Sequence, residues 1–207
     1  MDVAVELVDG YLRMTGYFTM TEFDIQRKTK SGEYVTVTDV DMVAVRFPGR
    51  TLAADVHDGD DAAQLLLDDD ALQLEEGMID VIIGEVKQGS ALINSGLKSH
   101  EALHSVLSRL EWLYEQGVGP VITALQQHGV SYVEARGGGV LRTRLVAFGQ
   151  AEESGLHTLS LHHIICKMSE FMKLYENVLK PAIFSELVPG FMRLMAKTGL
   201  EISRETD

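Results

Sequence analysis

The spacing of apolar positions changes several times along the chain, and each change marks an element. Val5, Val8, Tyr11 and Leu12 recur at helical spacing within residues 3–14, and Gly16 ends the run. Residues 18–27 read as an irregularly patterned strand and Lys30-Ser31-Gly32 as a turn. Residues 34–47 (YVTVTDVDMVAVRF) form a second strand closed by Pro48-Gly49, so a hairpin is expected. Residues 80–90 (DVIIGEVKQGS) open as a buried strand, because Val81, Ile82 and Ile83 are β-branched and show no helical stripe. Leu103, Val106, Leu107, Leu110 and Leu113 place an amphipathic helix over 99–116, and Pro120 and Gly129 bracket another over 120–128. Strands over 131–136 and 140–148 meet at Gly137-Gly138-Gly139, a tight turn rather than a phosphate cradle, since no helix follows it. A short strand at 157–159 leads to Ser160, the N-cap of a helix reaching residue 179. Pro181 separates that helix from a last one at 182–198. This order predicts an α/β (α+β) layer structure, a mixed sheet flanked by helices.

Composition adds one feature that periodicity does not show. The 207 residues, 45% hydrophobic, supply one good core, so a single domain over 1–207 is expected. The net charge of −13 is not evenly spread. Between Thr51 and Val86 stand eleven acids and no Lys or Arg, leaving 20 of the 31 acids against 18 bases elsewhere, a net charge of −2. The acidity therefore belongs to an insertion at about 51–79, expected to be a solvated excursion of one or two helical turns with Asp caps. It is no calcium loop, because glycine does not stand sixth after any candidate first Asp. Residues 160–207 form a C-terminal helical extension. The lone Cys166 excludes an internal disulfide, fits a reducing compartment and reads as a core residue. With no leader-like N-terminus and no apolar run of spanning length, the expectation is a cytoplasmic protein without a membrane partner.

The chemistry-bearing positions sit where strands should be apolar. Glu85 and Lys87 lie two apart and share a face, with the Val86 carbonyl at the same level. Gly84 allows a backbone or a bound group to approach. Asp39 and Asp41 share a strand face with Val43 and Val45, although an unpaired buried carboxylate is costly. The plain readings are an edge ion pair for Glu85 and Lys87, a bulge at Asp39 and a lysine partner for Asp41. The alternative puts Asp41 and Glu85 on neighbouring strands sharing one hard cation, Mg²⁺ or Mn²⁺. Val86 would add a carbonyl oxygen, Lys87 would stand beside a metal-bound water, and Gln88 would supply an amide contact.

These residues resemble the PD-(D/E)xK nuclease superfamily, in its restriction-endonuclease-like and Holliday-junction-resolvase-like branches. The matching pieces are VELVDGYLRMTGY at 5–17, VTDVDMVAVR at 37–46 and DVIIGEVKQ at 80–88, in the order helix, hairpin, catalytic strand, helix. The resemblance covers about the first 115 residues. It implies a restriction-endonuclease-like fold and a metal-dependent nuclease acting on nucleic acid, with DNA the expected substrate. Asp41 and Glu85 would be metal ligands and Lys87 the catalytic lysine, while Glu6 resembles the extra acid that some members place beside the metal. It also admits a homodimer. The acidic insertion would repel phosphates, so it is expected away from the groove, covering it as a mimic, or against a basic partner. Phosphate contacts are expected among Arg13, Arg27, Lys28, Lys30, Arg136, Arg142 and Arg144.

Two other functions stay open. One is a non-catalytic binding module on the same scaffold, which the acidic charge favours. The other is a zinc peptidase, because His100-Glu101-Ala102-Leu103-His104 spells H-E-x-x-H and helical spacing puts both imidazoles on one face. Lys98 flanks that motif unfavourably, and no downstream pattern supplies a third ligand. His162-His163 reads as a surface or satisfied pair.

Overall fold

The computed structural model describes residues 2–48 and 66–174, together with residues 188, 191, 192 and 195. Helix α1 (Val3–Met14) starts where predicted, with the Asp2 carboxylate accepting from the Ala4 N–H at 2.7 Å. It ends as Thr15 N–H donates back to Tyr11 and Gly16 turns with φ of 91°. Strands β1 (Phe18–Lys28) and β2 (Tyr34–Arg46) form the expected antiparallel hairpin. Strand β3 (Ile79–Ser90) pairs antiparallel with β2, then parallel with β5 (Val140–Gln150). Strand β4 (Val130–Glu134) flanks β5, and β6 (Thr158–Ser160) pairs parallel with its far end. The sheet order is β1-β2-β3-β5-β4, which leaves β3 central and explains why its apolar run has no alternation.

Helices cover both faces of this mixed sheet. One face carries α1 and α4 (Leu161–Leu174), packed on Met42, Ala44, Ile82, Val86, Val146 and Phe148. The other carries α2 (His100–Leu107) and α3 (Gly119–His128), packed on Val43, Val45, Val81, Ile83, Leu141 and Leu145. A fully buried leucine such as Leu103 contributes about 1.5–3 kcal/mol by leaving water. The amphipathic helix predicted to reach residue 116 stays α-helical only to Leu107 and tightens into 3₁₀ turns over Ser108–Leu113. The cause is local: Ser108 Oγ donates to the His104 carbonyl at 2.6 Å, offering the backbone a side-chain partner. Pro120 and Gly129 (φ 73°) bracket α3 as expected, and Gly137, Gly138 and Gly139 all turn with positive φ. The predicted helix at 182–198 and residues 175–179 lie outside the described residues, apart from single positions. No helix among the described residues is long and apolar enough to cross a membrane.

Two glycines mark close approaches. Gly84 makes room for the Phe148 ring rather than for a bound group; a Cβ there would stand 2.7 Å from Phe148 Cε2. A Cβ on Gly149 would stand 2.7 Å from the Gly89 carbonyl oxygen and 2.8 Å from Ala91 Cα, both main-chain atoms. Gly149→Ala is therefore expected to cost about 1–3 kcal/mol by forcing β3 and β5 apart. Urea denaturation checks this, and an unchanged midpoint would contradict it.

The described part of the acidic insertion exposes Asp68, Asp70, Glu75 and Glu76 as a solvated excursion would, but buries Asp69. Residues 49–65 lie outside the described set. Beyond them, Asp69 caps a 3₁₀ turn at Asp70–Leu72, so the expected capped turn is present, but Asp69 itself is buried. It accepts from the Tyr11 hydroxyl at 2.7 Å and faces His163 Nε2 at 2.7 Å. His163 is thus a partnered residue rather than a surface one. Asp80 is also buried, against Tyr17, Arg142 and Arg144.

Candidate active site

Asp41 and Glu85 come together because two strands part between them. The β2–β3 ladder runs from Arg46↔Asp80 to Met42↔Gly84 and stops there. Past that point β2 stays with β1, and β3 stays with β5 through Val86↔Phe148. Asp41 and Glu85 are the next residues on either side of the opening. The parting releases the Val86 N–H, and Asp41 Oδ2 accepts from it at 2.7 Å. The bond fixes the Asp41 carboxylate against the strand that carries Glu85 and Lys87.

The alternation expected of β2 slips at this place. Val40 joins Val43 and Val45 in the cluster under α2 and α3, whereas strict period two would have put Asp41 there. Register places Glu22 opposite Asp41, between the pairs Thr21↔Met42 and Phe23↔Val40. Glu22 has φ of 47°, a left-handed conformation unusual inside a strand. The slip turns Asp41 toward β3 instead of into the apolar cluster, which is how a carboxylate is tolerated so deep in a β-branched run.

Glu85 is buried and Lys87 is largely exposed, and Lys87 Nζ meets Glu85 Oε1 at 2.5 Å. The ion pair that the E-x-K spacing allows is therefore formed. Burial lifts the Asp41 carboxyl above the usual carboxylate range; the Val86 amide and Lys87 oppose the rise, and the Asp39 and Glu22 charges add to it. Burial likewise raises Glu85, against the Lys87 hydrogen bond and charge. The hydrogen bond from Glu85 raises Lys87 in turn, with burial opposing. The cluster holds more negative than positive charge; burial is the main cause of both rises, and the neighbouring acids add to it. A cation relieves the excess charge.

The oxygen donors suit a hard divalent ion. Mg²⁺ commonly takes one or two carboxylates and fills its other positions with water. Asp41 Oδ1 takes no hydrogen bond from a described residue, while Glu85 Oε1 is engaged by Lys87. The Val86 contact to Asp41 runs through its N–H, not its carbonyl. Among the described residues no three His, Cys, Asp or Glu side chains gather closely enough to hold a metal by themselves. Any ion here would rest on two carboxylates and water.

The remaining expected site residues fall nearby or elsewhere. Gln88 Nε2 donates to both Asp2 carboxylate oxygens, at 3.2 and 3.0 Å, which ties the end of β3 to the start of α1. Glu6 Oε1 accepts from the Val188 N–H at 2.9 Å, so its carboxylate is engaged with the C-terminal stretch. Asp2 and Glu22 were not anticipated. Asp2 had a legible signal as the polar residue before a helical run, whereas Glu22 had none, and the two join through Asp2 N–H to Glu22 Oε1 at 3.0 Å.

Two expected phosphate contacts are corrected. Arg142 and Arg144 are fully buried partners of Asp80 and cannot reach a ligand at the surface. Arg13 pairs with Asp9 at 3.3 Å, and Arg136 approaches Glu115 at 3.9 Å. At the tip of the β1–β2 hairpin, Arg27 pairs loosely with Glu101 at 3.4 Å, Lys28 lies over the Tyr34 ring, and Lys30 is exposed. Cys166 is half-buried on α4, 3.6 Å from His162 Nε2, rather than a core residue. In the H-E-x-x-H stretch, Glu101 turns to Arg27, and no third ligand approaches His100 and His104 among the described residues. Set against protein-family models, curated proteins and solved structures, the chain matches none of them, and its functional reading rests on its own geometry.

Proposed function

We propose that the chain is a divalent-cation-dependent nuclease of the PD-(D/E)xK kind, hydrolysing phosphodiester bonds in nucleic acid. The observation that carries this reading is the Asp41 carboxylate held on the Val86 amide, between Glu85 and Lys87 and at the mouth of a parting pair of strands. The order α1, β1, β2, β3, α2, with β5 returning parallel to β3 after α3 and β4, supports a restriction-endonuclease-like arrangement. Asp41 and Glu85 would hold Mg²⁺ or Mn²⁺, which when bound supplies an acidified water and neutralises charge on the phosphate. Lys87 is set to leave Glu85 and orient that water or meet developing negative charge. Gln88 and Asp2 keep the end of β3 against α1, so the Glu85–Lys87 spacing stays fixed. The cationic hairpin tip with Arg27, Lys28 and Lys30 is the surface best suited to phosphates.

Purified protein is expected to cut plasmid or oligonucleotide DNA or RNA when Mg²⁺ or Mn²⁺ is added and to stop when the ion is chelated. Glu85→Gln is expected to abolish cutting; equal cutting by wild type and Glu85→Gln would remove the assignment. The closed Lys87–Glu85 pair, together with the acidic charge, favours a non-catalytic module on this scaffold. A Mg²⁺ titration separates the two, since a module would show no binding that depends on Asp41.

A further inference from the structure

We infer that His100 and His104 form a second metal site, for a borderline transition ion such as Zn²⁺ or Cu²⁺, independent of the carboxylate site. The two residues stand one turn apart on α2, both exposed. Their rings lie parallel within 19°, with centroids 5.9 Å apart, so both imidazoles project from the same side of the helix. Between α2 and β1 runs an open groove of about 580 Å³, lined by His100, His104, Glu101, Gln26, Ser105 and Ser108. It leaves room for the waters that would complete a coordination shell.

Hydrogen bonding sets the tautomer that coordination needs. Ser108 Oγ has one proton and gives it to the His104 carbonyl at 2.6 Å. Toward His104 Nδ1, 3.3 Å away, the same oxygen can then only accept. Nδ1 therefore carries the ring proton and Nε2 presents its lone pair outward. Metal-bound histidines have this arrangement, with the far nitrogen free to ligate and the near one donating to a neighbour. Glu101 does not compete for the imidazoles, because Arg27 holds it at 3.4 Å.

The ion class follows from donor chemistry. Imidazole nitrogen prefers Zn²⁺, Cu²⁺ and Ni²⁺, whereas Mg²⁺ prefers oxygen. Two protein ligands with water give an exchangeable site, not the closed four-ligand cage of a structural zinc. Among the described residues no third protein ligand of a zinc-peptidase kind stands beside the pair, so the H-E-x-x-H stretch would bind metal here without peptidase chemistry. An ion bridging one turn also stabilises α2, because it binds the folded helix and not the open chain.

The test is calorimetric titration of the full-length protein with ZnCl₂ in a non-coordinating buffer, paired with Cu²⁺ electron paramagnetic resonance. Wild type is expected to bind one ion per chain, undisturbed by millimolar Mg²⁺, with Zn²⁺ raising Tm. The Cu²⁺ spectrum should show two imidazole nitrogens, falling to one in His100→Gln and in His104→Gln. Ser108→Ala is expected to weaken binding by about tenfold through loss of the tautomer partner. Unchanged metal-free circular dichroism and Tm in the variants would tie these losses to the ligands themselves. Full binding in the His100→Gln/His104→Gln double variant would overturn the site and point to ions held elsewhere, such as at His162 and Cys166. Displacement of Zn²⁺ by Mg²⁺, or no binding by wild type, would overturn it as well. None of these results depends on whether the protein cuts nucleic acid.

Discussion

Asp80→Ala is expected to cost about 3–5 kcal/mol, a large share of the stability of a domain this size. Asp80 opens the β2–β3 ladder and, among the described residues, is the only anion paired with the two fully buried guanidinium groups. Arg142 Nε donates to its Oδ1 at 2.5 Å, and Arg144 Nη2 and the Tyr17 hydroxyl donate to its Oδ2 at 3.0 and 2.5 Å. The arginines spend their other protons on main-chain carbonyls: Arg142 on Leu72 and Gln73, Arg144 on Leu156. Removing the carboxylate leaves two positive charges in a dry site with only neutral carbonyls and tyrosine hydroxyls to balance them. Urea denaturation at neutral pH measures the loss, and a change below about 1 kcal/mol would show the network to be dispensable.

The same network carries a pH dependence of definite sign. Burial pushes the Asp80 carboxyl up, but Arg144 and Arg142 with the Tyr17 hydroxyl outweigh it and hold the group below its ordinary value. A carboxyl depressed in the folded state contributes fully above its unfolded pKa of about 3.9 and loses that contribution as pH falls through the folded value. Wild type should therefore lose stability below about pH 4 more steeply than Asp80→Asn, which has no such proton to take up.

Asp41→Asn is expected to lower Mg²⁺-dependent cleavage by about a thousandfold while leaving Tm almost unchanged. The substitution keeps the volume, and the amide oxygen can still accept from the Val86 N–H that Asp41 holds at 2.7 Å. What disappears is one of two anionic oxygens available to an ion. In the proposed reaction, loss of that ligand would remove several kcal/mol of charge stabilisation at the phosphate, hence the size of the expected effect. Burial already raises the Asp41 carboxyl, so neutralising it carries little folding cost. Single-turnover cleavage and thermal melting on the same preparation check both halves. Normal cleavage with a normal melt would show Asp41 to be a strand-end cap and nothing more.

Elements with a strong local signature were legible from residues alone. The stripe through Val5, Val8, Tyr11 and Leu12 announces α1, Pro120 and Gly129 bracket α3, and the β-branched run at 81–83 marks the central strand. Each is decided within a few residues of backbone, where steric preference and the need to pair N–H and C=O groups act locally. The juxtaposition of Glu85 with Lys87 was legible for the same reason, because positions two apart in a strand share a face.

Charges are another matter. Arg142 and Arg144 read as surface cations from sequence, and only packing across β3 and β5 turns them inward onto Asp80. Asp69 sits in an acidic stretch that composition assigns to solvent, and Asp80 stands just after it, yet each is buried against partners distant in the chain. A charge can be buried only where the whole fold supplies its counter-charge, and no short window contains that information. The slip of alternation at Asp41 is of the same kind, since it depends on Glu22 adopting φ of 47° across the hairpin. Local chemistry in the sequence determined the elements and the E-x-K pair, while the tertiary structure alone decided which carboxylates are sealed in and which one turns to the strand mouth. Backbone preference acts over a few residues, but electrostatic compensation acts through space.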